Sequence, residues 1–228
     1  MNKLFVLSGA SGIGKSTILF QLVKEKLCSP AHKYSERLVR KGEDDIIHVS
    51  NIYDSKIACD IIYEKYNIKY GINTAEIKRK LQTDNQIIIV SDIVALKKLK
   101  EVFKGTSTVV YIFLSSICVE KLVVVYINRG ALVISDENRE DLILFASKIT
   151  ESIKSRDKIN FHRLDKEFYS KVKEYFSNDD FLQFIKRYES WTKSREIYNA
   201  NSALFDYTFE KNEEILEELR ELIKKSKI

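Results

Sequence analysis

Hydrophobic positions in this chain fall into two patterns: short unbroken apolar runs, and longer stretches with apolar residues three or four apart. Residues 3–8 contain the first run, Leu4-Phe5-Val6-Leu7, which gives way to Gly9. Such a run, with no polar alternation, predicts a strand buried on both faces of a parallel sheet. Ile18, Leu19, Leu22 and Val23 then recur at helical spacing and predict a helix over 15–26. Further buried strands are predicted at 86–91, after the turn-like Thr83-Asp84-Asn85, and at 108–114. Helical patterns occupy 54–66, 74–81 and 93–102. Strands alternating with helices predict an α/β fold with a parallel sheet and right-handed crossovers. The run Leu-Val-Val-Val-Tyr-Ile at 122–127 favours a strand by propensity.

The pattern changes between 150 and 200. Aromatics become dense there, with Lys, Arg and Glu between them, and sets such as Phe168/Val172 and Phe181/Phe184/Tyr188 repeat at three or four residues. That spacing predicts a small helical subdomain with its own core rather than a row of base-stacking rings. The chain closes with a predicted strand at 205–209 and a helix at 213–225, with Ile215, Leu216, Leu219, Leu222 and Ile223 on one face. The expected organisation is a core formed by 1–150 and 201–228, carrying a helical, aromatic-rich insertion at 151–200.

Composition narrows this picture. One proline and seven glycines in 228 residues leave no linker that would cut the chain into independent domains. Hydrophobic residues make up 44% and charged residues 31%, as in a globular protein. The net charge of +5 suits anionic substrates; Lys and Glu are interleaved as on solvated helix faces, which argues against a nucleic-acid surface. Cys28, Cys59 and Cys118 lie far apart and predict reduced thiols. With no leader ahead of the first strand, a cytoplasmic location is expected. The apolar run at 109–114 is far short of the roughly 20 residues a membrane span needs.

The most specific chemistry lies in Gly9-Ala-Ser11-Gly12-Ile-Gly14-Lys15-Ser16-Thr17. Gly9-x-x-x-x-Gly14-Lys15-Ser16 is a complete phosphate-loop pattern between a predicted strand and a predicted helix. Glycines let the backbone wrap so that successive N–H groups face anionic oxygens. The helix start adds the positive end of its dipole. Lys15 supplies charge to the β- and γ-phosphates, Ser16 a hydroxyl to Mg²⁺, and Thr17 a contact to the α-phosphate. ATP and Mg²⁺ are therefore the expected cofactors.

Arg37-x-x-Arg40-x-Gly42-Glu43 follows about twenty residues later. Two arginines three apart are suited to gripping a phosphate monoester, though basic loop residues are as often simply solvated. Asp92 follows a predicted strand, where parallel sheets gather ligands. His32, His48 and His162 are dispersed and set no metal site.

In order and spacing, Gly9–Thr17, then Ser35-x-Arg37-x-x-Arg40-x-Gly42-Glu43, then Tyr70-Gly71 resemble guanylate kinase. Further segments are similar to that family: Ile89-Val90-Ser91-Asp92, the strand at 110–116, Asn128-Arg129-Gly130 and Phe205-Asp206-Tyr207-Thr208-Phe209. The resemblance covers about 1–150 and 203–225 and implies a P-loop NTPase three-layer fold that transfers the γ-phosphoryl of ATP to a nucleoside monophosphate, GMP or dGMP first. It implies that Ser35, Arg37, Arg40, Glu43 and Tyr70 hold the acceptor, that Glu64 reads its base, and that Asp92 serves acceptor and metal beside Ser16. Arg129 would close from a lid, and the insertion would replace or cover that lid. It also implies a helix, not a strand, at 122–127.

Several positions depart from the family. The Asp-Tyr expected after Gly42-Glu43 is missing, Val125 replaces a lid arginine, and Ile72 replaces the threonine of Tyr-Gly-Thr. The second lid arginine has no clear equivalent among Arg139, Lys148 and Arg156. Glu43-Asp44-Asp45 and Ser91 look more like ribose 1,5-bisphosphate phosphokinases. Two alternatives thus stand beside the nucleotide kinase: a sugar-phosphate kinase, and a catalytically weak binding module with a protein partner, or a second copy, at the insertion.

Overall fold

Leu4–Gly9 is buried at every position, as the unbroken apolar run requires, and this strand lies at the centre of the main sheet. The computed structural model describes residues 2–10, 12–39, 43–65, 67–105, 109–115, 120, 123–124, 135–154, 161–175, 193–194, 196–210 and 215–225. In chain order the elements are β1 (Leu4–Gly9), α1 (Lys15–Lys24), β2 (Ser29–Pro30), β3 (Lys33–Ser35), β4 (Ile46–His48), β5 (Ile61–Lys65), β6 (Ile68–Ile72) and α2 (Thr74–Lys80). They continue with β7 (Gln86–Ile89), α3 (Ile93–Val102), β8 (Val109–Ser115), α4 (Asp136–Lys154), α5 (Phe161–Tyr175), β9 (Tyr207–Glu210) and α6 (Ile215–Lys225).

The chain divides into two units, one of Met1–Gly9, Gly14–Leu114 and Ile197–Ile228, the other of Ala10–Ile13 and Ser115–Glu196. In the first unit, five strands form a sheet in the order β2-β7-β1-β8-β9, with β7 and β8 parallel to β1 and β2 parallel to β7. The predicted strands and the helices α1, α2 and α3 fall where the hydrophobic pattern puts them, within a few residues. The final helix buries Ile215, Leu219 and Ile223 at a spacing of four, and its Arg220 grips Glu25 at the end of α1 through Nε at 2.8 Å. The last segment is pinned to β8 by Asp206, whose carboxylate accepts from the Tyr111 amide at 2.8 Å. Phe113 stacks on Tyr198 at 4.2 Å.

One expectation is overturned. Residues 54–66 are not a helix: turns occupy 54–57, and Ile61–Lys65 is strand β5. Ile57, Ile61 and Ile62 mimic helical spacing, but two isoleucines and a tyrosine also favour a pleat, and pairing with β6 decides the outcome. Tyr63 lies opposite Tyr70 and stacks on it at 5.4 Å. The result is a second sheet in the first unit, ordered β4-β3-β6-β5. β3 runs parallel to β4 and antiparallel to β6, and β5 is antiparallel to β6. Ile61 and Ile72 of this sheet join Leu96 and Leu99 of α3 and Ile77 of α2 in one core.

In the second unit, α4 buries Leu142 and Ala146 one turn apart and α5 buries Val172. Ser147 donates to the Glu120 carboxylate at 2.9 Å. α4 continues unbroken through residues 150–151. Of 122–127 only 123–124 is described, and it is helical; residues 176–192, with most of the predicted aromatic pairs, lie outside the described residues. No described helix is long and apolar enough to cross a membrane.

Candidate functional site

β1 delivers Gly9 to its carboxyl end, and backbone geometry there demands glycine. Its φ is +137°, and a Cβ would fall 2.5 Å from the Leu114 carbonyl oxygen on β8. Gly12 and Gly14 also have positive φ, at 84° and 91°. Gly14 is the N-cap of α1, with no capping side chain and no acidic residue in the first turn. The leading amides of α1 therefore keep their positive partial charge for another acceptor. Lys15 is 9% exposed and donates from Nζ to the Gly9 carbonyl at 2.9 Å. Its ammonium thus lies back over the end of β1. Ser16 and Thr17 are exposed in the first turn. Ser11 lies outside the described residues.

The second sheet brings together most of the expected acceptor residues. Ser35, Tyr70 and Tyr63 are directly opposite one another on neighbouring strands, so they share a face. Arg37, just past β3, is bound on several sides. Its Nη2 pairs with Glu43 at 2.8 Å, Nε donates to the Tyr70 hydroxyl at 3.3 Å, and Nη1 donates to the Leu38 carbonyl at 2.9 Å. Ser35 is fully buried; its hydroxyl donates to the Lys69 carbonyl at 3.1 Å and accepts from the Arg37 amide at 3.3 Å. Arg40, Gly42 and Arg129 lie outside the described residues, as does Arg156. Arg139 and Lys148 belong to α4 in the second unit.

Asp92 follows β7, the parallel neighbour of β1, so it stands at the same end of the sheet as Gly9. One of its oxygens is engaged: it caps α3 by accepting from the Ala95 amide at 2.8 Å. Glu64 is not brought to the face that holds Ser35, Tyr63 and Tyr70. Alternation along β5 turns it to the opposite side, exposed and paired across the strands with Lys69. Reading 54–66 as a helix hid this, because only a period of two separates Glu64 from Tyr63 and Lys65.

Three neighbours of the site were missed from sequence. Lys33 and Asp45 form a buried ion pair at 3.1 Å, which gives Asp45 a structural partner inside the Glu43-Asp44-Asp45 run. Lys65 lies on the Tyr63 face of β5, half-buried. Burial pulls its pKa below the ordinary lysine value, and Lys33 adds to that while the charge of Asp92 opposes it. Burial likewise raises the Tyr63 phenol, and burial with the Glu76 carboxylate pushes Tyr34 up to about 12. The pattern Ile61-x-Tyr63-x-Lys65 was the available signal for the face they share.

Helices around a five-stranded sheet with a parallel centre, and a glycine-rich turn from central strand to helix, define the fold of a P-loop kinase. The solved structure of guanylate kinase from Anaplasma phagocytophilum is similar to this chain, with a TM-score of 0.53 over 99% of this chain and 86% of that one. Identity is 13%, so the likeness is one of fold. No protein-family model matches the sequence, and no curated protein matches it.

Proposed function

We propose that this chain is a P-loop phosphotransferase that binds Mg-ATP and moves the γ-phosphoryl onto the phosphate of a small acceptor. The observation that carries this is Lys15 folded over the carboxyl end of β1, beside an α1 N-terminus with no side-chain cap. A polyanion fits there: helix amides and an ammonium group offer several donors at one strand end. Lys15 would leave the Gly9 carbonyl for the β- and γ-phosphates, with Gly9, Ser11, Gly12, Gly14 and Thr17 holding the remaining oxygens.

The donor set also fits Mg²⁺. Ser16 has an exposed hydroxyl, and Asp92 has a carboxylate oxygen that does not cap α3. Among the described residues no group of three or more His, Cys, Asp or Glu could hold a metal. Such an ion would therefore take most of its ligands from phosphate and water, as Mg²⁺ commonly does. When bound it would neutralise charge on the transferring phosphoryl.

Arg37 and Arg40 would hold the acceptor phosphate with Ser35 and Tyr70, Glu43 would orient Arg37, and Arg129 would supply lid charge. No general base is required, because an acceptor phosphate is already an anionic nucleophile. The family resemblance makes GMP or dGMP the first acceptor to try. A sugar-phosphate acceptor is the second reading, favoured by one observation: Ile72 is fully buried in the core and Glu64 faces away, so the expected base contacts are not on the acceptor face. The helical region at 151–200 is proposed to serve a protein partner or a second copy, in a cytoplasmic protein.

The test is ADP release from Mg-ATP with GMP, dGMP, other nucleoside monophosphates and sugar phosphates, using Lys15→Ala as control. The expected result is turnover with at least one acceptor, reduced about 100-fold or more in the variant, the scale of losing one donor to a transition-state anion. Tight ATP binding with silence across the panel would replace this reading with that of a binding module.

A further inference from the structure

We propose that Lys65 determines acceptor specificity, selecting a small acceptor that carries a second anionic group besides the phosphate gripped by Arg37. This rests on the phosphotransferase reading and adds the acceptor class to it.

The second sheet presents its acceptor face in rows. The inner row, Ile61 opposite Ile72, is 1% and 0% exposed and packed against α3. That row has no polar atom to read a base. The next row is Tyr63, Tyr70 and Ser35. Lys65 stands two residues beyond Tyr63, on the same side of the pleat, as Arg37 stands two beyond Ser35. Both cations lie beyond the tyrosine row at the same end of it, Lys65 opposite Ile68 on β6 and Arg37 just past the end of β3.

A nucleobase on this face would meet packed isoleucines on one side and an ammonium on the other. A second phosphate or carboxylate, carried on a short polyol, would meet Lys65. The half-burial of Lys65 strengthens the point, since a lysine drawn out of water gains more from an incoming anion than a solvated one. Asp92, which acts electrostatically on Lys65, gives the ammonium a countercharge before the acceptor arrives. The chemistry at the other end is unchanged. An oxygen of the Arg37-held phosphate attacks the γ-phosphorus, the bond from that phosphorus to the β–γ bridging oxygen breaks, and ADP leaves with the electron pair. The acceptor gains a diphosphate, and its second anion stays on Lys65.

The experiment uses the full chain with Mg-ATP and three acceptors: ribose 5-phosphate, ribose 1,5-bisphosphate and GMP. In wild type, kcat/KM should be highest for the bisphosphate. Lys65→Gln should lower that value 10- to 100-fold, the span of one charge-assisted contact, while leaving ribose 5-phosphate within about twofold. Lys65→Arg should keep most of the bisphosphate activity, which a purely structural lysine would not require. A wild-type preference for GMP, or an equal loss on every acceptor in Lys65→Gln, overturns the proposal. If no acceptor releases ADP, the kinase reading fails separately. Calorimetric binding of ribose 1,5-bisphosphate then decides: binding lost in Lys65→Gln and kept in Lys65→Arg supports Lys65, and no binding or unchanged binding rejects it.

Discussion

Removing the carboxylate of Asp45 should destabilise the first unit by about 3–5 kcal/mol, the cost of stripping one partner from a buried ion pair. Asp45 Oδ2 lies 3.1 Å from Lys33 Nζ, with 6% and 7% of the side chains exposed. At an effective dielectric of about 20 that separation is worth roughly 5 kcal/mol of attraction. Desolvating both ions cancels much of this, so the net value of the intact pair is small. The asymmetry is what matters. Asp45→Ala leaves an ammonium buried without its counterion, whereas replacing both residues, Lys33→Met with Asp45→Leu, removes cost and gain together. Urea denaturation followed by circular dichroism should show the large loss in the single variant. The double variant should return to within about 1 kcal/mol of wild type, or exceed it. Hydrogen exchange at the Lys33 amide, which donates to the Asp45 carbonyl at 2.9 Å, should accelerate in the single variant only. A loss below about 1 kcal/mol in Asp45→Ala, or a double variant as unstable as the single, would refute the reasoning.

Three further outcomes are expected. Gly9→Ala should lose about 2 kcal/mol or more of stability and weaken Mg-ATP binding, because φ of +137° strains any side chain and the new Cβ meets the Leu114 carbonyl at 2.5 Å; an unchanged melting temperature would contradict it. Arg37→Lys should raise KM for the acceptor about tenfold or more with KM for ATP nearly constant, since an ammonium cannot keep Glu43, Tyr70 and a phosphate in one fork; an equal rise in both constants would point elsewhere. His32 has its pKa lowered, first by burial and then by Lys80, whose Nζ lies 3.0 Å from Nδ1. The unfolded chain therefore takes up a proton near pH 6.5 that the folded chain refuses, so stability should fall as pH drops below about 6.5, by at most about 1.4 kcal/mol per unit, and level off below the folded pKa. Urea midpoints between pH 7 and 5 should show this slope, and His32→Asn should flatten it.

The centre of the main sheet was legible because parallel strands buried on both faces leave an unmistakable sequence: 4–7, 86–90 and 109–114 carry almost nothing polar, whereas the two-residue edge strand β2 gave no such signal. The phosphate loop was legible because each of its requirements is local. The second sheet was not. Its strands are half-buried and three to five residues long, and their identity is set by pairing: Tyr63 with Tyr70 on the next strand, and Ser35 with Tyr70 from far along the chain. Isoleucines at 57, 61 and 62 fit a helix as well as a strand until those pairings are known. Hence Arg37 and Glu43 could be named from their spacing and Tyr70 from the family resemblance, while the sidedness of Glu64 and Lys65 could not.

That sidedness changes what the site asks of its acceptor. Glu43 already gives Arg37 one carboxylate, so under the proposed role an incoming phosphate would have to share or displace it. A dianionic phosphate competes better than a singly charged group at a guanidinium, since it offers more charge and more acceptor oxygens. Substituting Glu43→Gln removes the competitor and keeps the side-chain shape. If Glu43 is mainly a placeholder, acceptor KM should fall severalfold and kcat should hold. If it mainly aims the fork, KM should rise as it does for Arg37→Lys. The structure favours aiming: Arg37 is held from three directions, by Glu43, Tyr70 and the Leu38 carbonyl, and removing one leaves the guanidinium free to swing. The expected result is therefore a higher acceptor KM with ATP binding unaltered, and a lower KM would show that the fork is aimed by its other two partners alone.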